Sequence, residues 1–168
     1  HAFLDEMGQE WCSGIQYVCT DMWRAYVGVV GERLSQALHI LDRFHIVKLL
    51  NEAVDDVRKQ EAAKLRKEGV DLLKGMKYAF LKRRENLTEN QEKQLNYALN
   101  KRWLATARAY LWKEKFQLFW GYESPYWARR YLCRWCKGAM RSRLKPIKKF
   151  VGTVRRHEDL MMNWFKAK

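Results

Sequence analysis

Apolar and polar positions alternate in two different rhythms through the first sixty residues, predicting short strands set between helices. The run Ile15-Gln16-Tyr17-Val18-Cys19-Thr20 is rich in β-formers and is closed by Asp21. Over residues 22–34 the rhythm lengthens, with Trp23, Tyr26, Val27 and Val30 recurring at three- and four-residue spacing, as on one face of a helix. Ala37-Leu38-His39-Ile40-Leu41 is a second short apolar run, closed by Asp42. Ile46, Leu50, Val54 and Val57 then mark one face of a long helix, with Leu49 and Ala53 beside them. The predicted order is helix, strand, helix, strand, long helix. A strand–helix–strand of this length joins parallel strands by a right-handed crossover.

Beyond residue 60 the pattern is helical throughout. Thr88 with Gln91 predicts a capping box ahead of a helix over 89–100. Residues 105–120 form a helix with Leu104, Ala107, Leu111, Phe116 and Phe119 as its apolar stripe. Ser124-Pro125 reads as a cap followed by proline at the first helical position, opening a helix that runs to about Arg143. Pro146 opens the last, with Ile147, Phe150, Val151 and Val154, then Leu160, Met161 and Trp164. Residues 69–77 read as loop or frayed helix, and no repeat period is present. The fold class predicted is mostly α with a small α/β part.

Charge divides the chain in the same place. Residues 1–60 hold six Lys/Arg and nine Asp/Glu, whereas residues 61–168 hold 27 and ten, so a net −3 gives way to a net +17. The shift falls near residues 58–67 and predicts two regions, 1–60 and 61–168. A formal charge of +14 points to a polyanionic partner, nucleic acid first, since each neutralised phosphate releases counterions. Eleven basic residues and no acidic ones lie between Ser124 and His157: Arg129, Arg130, Arg134, Lys137, Arg141, Arg143, Lys145, Lys148, Lys149, Arg155 and Arg156. Such a run suits phosphate contact, which holds DNA without reading its sequence. Trp120, Trp127 and Trp135 lie in or beside it and suit either base stacking or packing between helices. No apolar stretch reaches the roughly 18 residues of a membrane span, and no signal peptide is visible. Four sparsely spaced cysteines fit reduced thiols in a cytoplasm.

Asp21 and Asp42 are the candidates for chemistry. Residues at the carboxyl ends of neighbouring parallel strands line the crevice where open α/β sheets act on ligands. Hard divalent cations need anionic oxygen ligands, and two converging carboxylates are the usual minimum. Aspartate before a helix is also a favoured N-cap, so a purely structural reading stands beside the catalytic one. His45 follows Asp42 by three residues, which puts imidazole and carboxylate on one side of the first helical turn. It suits a role in orienting Asp42, positioning a metal-bound water or contacting a phosphate. Cys133 and Cys136 make a Cys-x-x-Cys pair, but zinc needs two more ligands and no second pair exists. No glycine loop of the phosphate-cradling kind is present.

The runs Cys19-Thr20-Asp21-Met22-Trp23-Arg24-Ala25-Tyr26, Ala37-Leu38-His39-Ile40-Leu41-Asp42-Arg43-Phe44-His45-Ile46-Val47-Lys48 and Leu50-Asn51-Glu52-Ala53-Val54-Asp55 together resemble the DDE-type transposases of the bacterial insertion-sequence group called the ISL-three group. The resemblance covers essentially the whole chain, with its specific motifs in residues 19–58. It implies a partial ribonuclease-H-like core in 1–60, followed by an all-helical insertion in 61–168. It also implies Mg²⁺, or Mn²⁺ in its place, held by Asp, Asp and Glu, with Asp21 as the second Asp. Asp42 and His45 then match the family's Asp-x-x-His motif. DNA, as transposon ends and target, is the implied partner, and the parent is expected to be a homo-oligomer at the bacterial nucleoid in the cytoplasm. No convincing strand-borne first Asp precedes Asp21, since Asp5 and Glu6 read as helical, and the expected Glu is not reached by Lys168. The chain is therefore expected to be a piece of a transposase, inactive alone but able to bind DNA. A non-enzymatic basic helical module, or a protein-interaction domain built on the aromatic helices, accounts for the second region but leaves the two strand–Asp–helix units unexplained.

Overall fold

The computed structural model describes residues 2–167, excepting the side chains of Ala2, Phe3 and Asp5; His1 and Lys168, which bound the predicted regions, lie outside it. Two short helices, α1 (Ala2–Met7) and α2 (Gln9–Ser13), open the chain and are separated by Gly8 at φ 79°, a conformation that favours glycine. They lead into β1 (Tyr17–Thr20), α3 (Arg24–Arg33) and β2 (Leu38–Leu41). The two strands pair in parallel, with Tyr17 opposite Leu38 and Thr20 opposite Leu41. Both were legible as β-rich runs, and each is shorter than predicted by one or two residues at its start.

α4 (Arg43–Lys67) is the spine of the molecule: its 25 residues span about 37 Å. Asp42 caps its N-terminus by accepting from the Phe44 amide at 2.8 Å, and Lys64, Arg66 and Lys67 complement its C-terminal dipole. Ile46, Leu50, Val54 and Val57 are all buried, as the spacing predicts. Residue 60, where the charge changes sign, lies inside this helix. Residues 69–76 form turns that bury Leu73 and Met76 and lead into α5 (Lys77–Leu81). The predicted capping box holds: the Thr88 hydroxyl accepts from the Gln91 amide, and the Gln91 side chain accepts from the Thr88 amide, opening α6 (Glu89–Leu99).

α7 (Ala105–Gln117), α8 (Pro125–Met140) and α9 (Lys145–Arg156) pack with α4 around one continuous core that reaches from Leu41 to Phe165. Phe116 sits at its centre, edge-on to Trp120, Trp135 and Phe150 at 4.9–6.2 Å between ring centres. Burying such a side chain is worth about 1.5–3 kcal/mol. Two charged side chains close the frame. The Glu61 carboxylate accepts from the amides of Ala105 and Thr106 and from the Thr106 hydroxyl, all at 2.7 Å, tying α4 to the first turn of α7. The buried Lys113 ammonium donates to the carbonyls of Phe80, Leu81 and Lys82, satisfying the C-terminal end of α5.

Four expectations are corrected. The last predicted helix breaks at His157, and α10 (Glu158–Met162) turns away from α9 to pack on β2. There the Asn163 side chain donates from Nδ2 to the His39 carbonyl at 2.8 Å. Leu111 faces solvent at 48% exposure, because the packed face of α7 is rotated toward Thr106, Ala109, Tyr110 and Lys113. Trp23, just ahead of α3, and Tyr26 on it are 60% and 49% exposed, so half of the predicted apolar face is uncovered and only Val30 is buried on it. Asp21 does not directly precede a helix, since Met22 and Trp23 intervene before α3.

Candidate active site

Because the strands are in register, Asp21 and Asp42 leave the same end of the sheet on adjacent strands, whose axes lie about 4.8 Å apart. The Asp42 amide itself donates to the Thr20 carbonyl at 2.7 Å, extending the pairing by one bond. The two aspartates then part in their duties. Asp42 has both carboxylate oxygens engaged, Oδ1 by the Phe44 amide and Oδ2 by His45 Nδ1, each at 2.8 Å. Asp21 uses Oδ1 for the Trp23 amide at 2.8 Å, and its Oδ2 takes no hydrogen bond from a described residue.

With Nδ1 held by Asp42, His45 has Nε2 left for another partner, and more than a third of each side chain is exposed. Behind the strand ends, the Thr20 hydroxyl and His39 Nε2 are 2.7 Å apart across the two strands. Burial pushes the His39 imidazole below its ordinary 6.5. The Cys19 thiol is pushed up, first by burial and then by the Asp42 charge.

Arg43, the first residue of α4, was missed by the sequence reading. Its guanidinium lies 5.3 Å from the centre of the Trp120 ring and pairs with no carboxylate of the described residues. Burial, and then the nearby Arg83 charge, lower its pKa. The indole N–H groups of Trp120 and Trp164, rings in edge contact at 5.9 Å, are buried without acceptors. An arginine without a carboxylate partner suits an anion, and the only sequence cue was the place of Arg43 inside the Asp42–His45 motif.

As a metal site the donor set is partial. Asp21 offers a hard oxygen ligand of the kind Mg²⁺ takes. Among the described residues, however, no three His, Cys, Asp or Glu side chains gather in a metal-binding arrangement.

All eleven basic residues from Arg129 to Arg156 are exposed, on α8, α9 and the turn between them. Arg129 is committed to Glu158 at 3.1 Å and Asp159 at 2.9 Å, so it is not a free cation. Arg130 lies over Tyr126 and Trp127, at 5.7 and 5.3 Å from the ring centres. Trp127 is half exposed, whereas Trp120 and Trp135 belong to the core. Cys133 is exposed and Cys136 buried, and burial pushes the Cys136 thiol up to about 11, which suits packing and not nucleophilic chemistry.

The transposase family model of the ISL3 type matches residues 1–168. The chain belongs to the ISL3-type transposases. It is 27% identical over 152 residues to the transposase for insertion sequence element IS1001 of Bordetella parapertussis, covering 89% of this chain and 37% of that protein. It is 28% identical over 183 residues to the transposase for insertion sequence element IS1557 of Mycobacterium tuberculosis, covering 92% of this chain and 40% of that protein. The chain thus spans about two fifths of the length of these relatives. No solved structure matches it. No helix among the described residues of this transposase chain is long and apolar enough to cross a membrane.

Proposed function

We propose that this chain is part of an insertion-sequence transposase that cuts and joins DNA with Mg²⁺, and that Asp21 is one of its metal ligands. The observation that carries this reading is the asymmetry of the two strand-end aspartates. Asp42 is fully occupied in capping α4 and holding His45, while Asp21 keeps one oxygen unengaged beside it. On this reading residues 1–60 contribute to a ribonuclease-H-like catalytic core and residues 61–168 are a helical insertion. The remaining acidic ligands are supplied by parts of the transposase outside this chain, consistent with its covering two fifths of its relatives.

When bound, the metal supplies an activated water or 3′-hydroxyl and stabilises the leaving oxygen. Asp21 would hold it at the sheet end. Asp42 fixes the His45 ring so that Nε2 meets a water or phosphate oxygen beside that position. Arg43, half-buried and lacking a carboxylate partner, neutralises a phosphate of the strand being cut. The basic run on α8 and α9, Arg129 excepted, holds DNA through its phosphates. Strand transfer exchanges one phosphodiester for another, so no nucleotide cofactor is required.

The test is Asp21→Asn in the complete transposase, assayed on a duplex bearing the element's end. Strand cleavage should fall at least 100-fold while duplex affinity stays within about threefold, since an amide removes a ligand charge without touching the basic helices. Unchanged cleavage would leave the chain as a DNA-binding module only.

A further inference from the structure

At the far end of α4 from Asp42 lies a groove of about 640 Å³, formed with the turn ahead of α7 and the α8–α9 turn. Lys64, Arg108, Arg143 and Lys145 line it, and all four are exposed. None forms an ion pair with a described residue, although Arg58, Lys59, Lys93 and Arg129 elsewhere all reach carboxylates. Of the two carboxylates in the groove, that of Glu61 is consumed by the amides of Ala105 and Thr106, leaving Glu68 alone against four cations. Trp103 joins the lining with 59% of its surface open to solvent.

The backbone adds an independent sign. Arg143 holds φ 61°, the one non-glycine residue among those described in the left-handed region. A side chain there costs about 1–2 kcal/mol, which glycine would avoid. The exposed arginine gains no burial in return, and strain kept without a packing benefit collects at functional sites. The turn is held by the Leu144 amide donating to the Ser142 hydroxyl at 3.3 Å, between the two cations it presents.

We propose that this groove is a second nucleic-acid site, which grips an unpaired stretch of DNA strand by stacking a base on Trp103 and pairing its phosphates with Arg108, Arg143, Lys145 and Lys64. A volume of this size takes a nucleotide-sized ligand and not a duplex. An exposed indole flanked by cations is the chemistry that single strands use, because every base has a stacking face. Along α4 the groove lies about 28 Å from Asp42, the length of roughly eight base pairs. It would therefore hold strand flanking the position of cleavage, which rests on the transposase reading.

The experiment measures binding of the complete transposase to a fluorescent oligothymidylate, to a hairpin duplex and to a free mononucleotide, over a range of salt. Trp103→Ala should weaken oligothymidylate binding about 5- to 150-fold and leave hairpin binding within twofold, with Trp103→Phe close to the parent. Arg108→Ala combined with Arg143→Ala should lower the single-strand salt slope by about 1.4, near 0.7 per lost phosphate contact. Wild-type single-strand affinity in either variant, or an equal loss for hairpin and single strand, would overturn the proposal. So would a mononucleotide bound as tightly as the oligomer. Asp21→Asn, measured alongside, separates the two readings: lost cleavage with no effect of the groove variants sinks the groove and spares the transposase assignment.

Discussion

At the scale of single residues, what decides the reading is which polar groups are already satisfied. Asp42 is spent on the Phe44 amide and His45, and Asp21 is not. His39 shows the same logic in titration. Burial holds its imidazole below the ordinary 6.5, so between that value and the folded pKa the unfolded chain takes up a proton that the folded chain refuses. Its contribution to stability is therefore present above about pH 6.5 and is lost as pH falls through the window below it. His157, lowered by burial and then by Arg156, acts in the same direction. The melting temperature should fall between pH 7.5 and 5.5, and His39→Gln should make that fall shallower; parallel curves for the two proteins would remove His39 from the cause. The places of Asp21 and Asp42 at the strand ends and the Asp42–His45 contact were legible because residue type and spacing set them. Arg43 was not, because what sets it apart is the Trp120 ring beneath it, 77 positions away in the chain.

At the scale of elements, periodicity found the helices and local chemistry found their ends where both partners lie within one turn. The Thr88–Gln91 box and Pro125 are such cases. Long-range caps were invisible. Glu61 reaches across 44 positions to the first amides of α7, and no spacing rule announces it. Glu61→Ala should strip three accepted hydrogen bonds from a part-buried helix start and cost about 1–3 kcal/mol in chemical unfolding, with faster hydrogen exchange at Ala105 and Thr106. A loss under 0.5 kcal/mol would mean that water caps α7 equally well. The break at His157 also escaped the pattern, since Leu160, Met161 and Trp164 continue the apolar spacing of α9. What redirects the chain is tertiary: Arg129 draws Glu158 and Asp159 toward α8, and Asn163 bonds to β2. Trp23, Tyr26 and Leu111 show the converse, positions with helical spacing that no described element covers.

At the scale of the molecule, the acidic and basic parts share one core, with α4 running through the point where the charge changes sign. The sheet end with Asp21 and the basic helices are thus held in one frame, as the proposed fixing of DNA relative to a metal at Asp21 would require. Return of the chain to β2 through Asn163 brings residues 158–165 back beside the strand that leads into Asp42. The measurement that bears most directly on the central claim, that Asp21 ligates the metal, is the metal dependence of Asp21→Cys in the complete transposase. A thiolate is a poor ligand for Mg²⁺ and a better one for Mn²⁺. The variant should cleave element-end DNA at least tenfold faster in Mn²⁺ than in Mg²⁺, against a much smaller ratio for the parent protein. Equal loss in both metals, or full activity in Mg²⁺, would contradict a ligand role for Asp21.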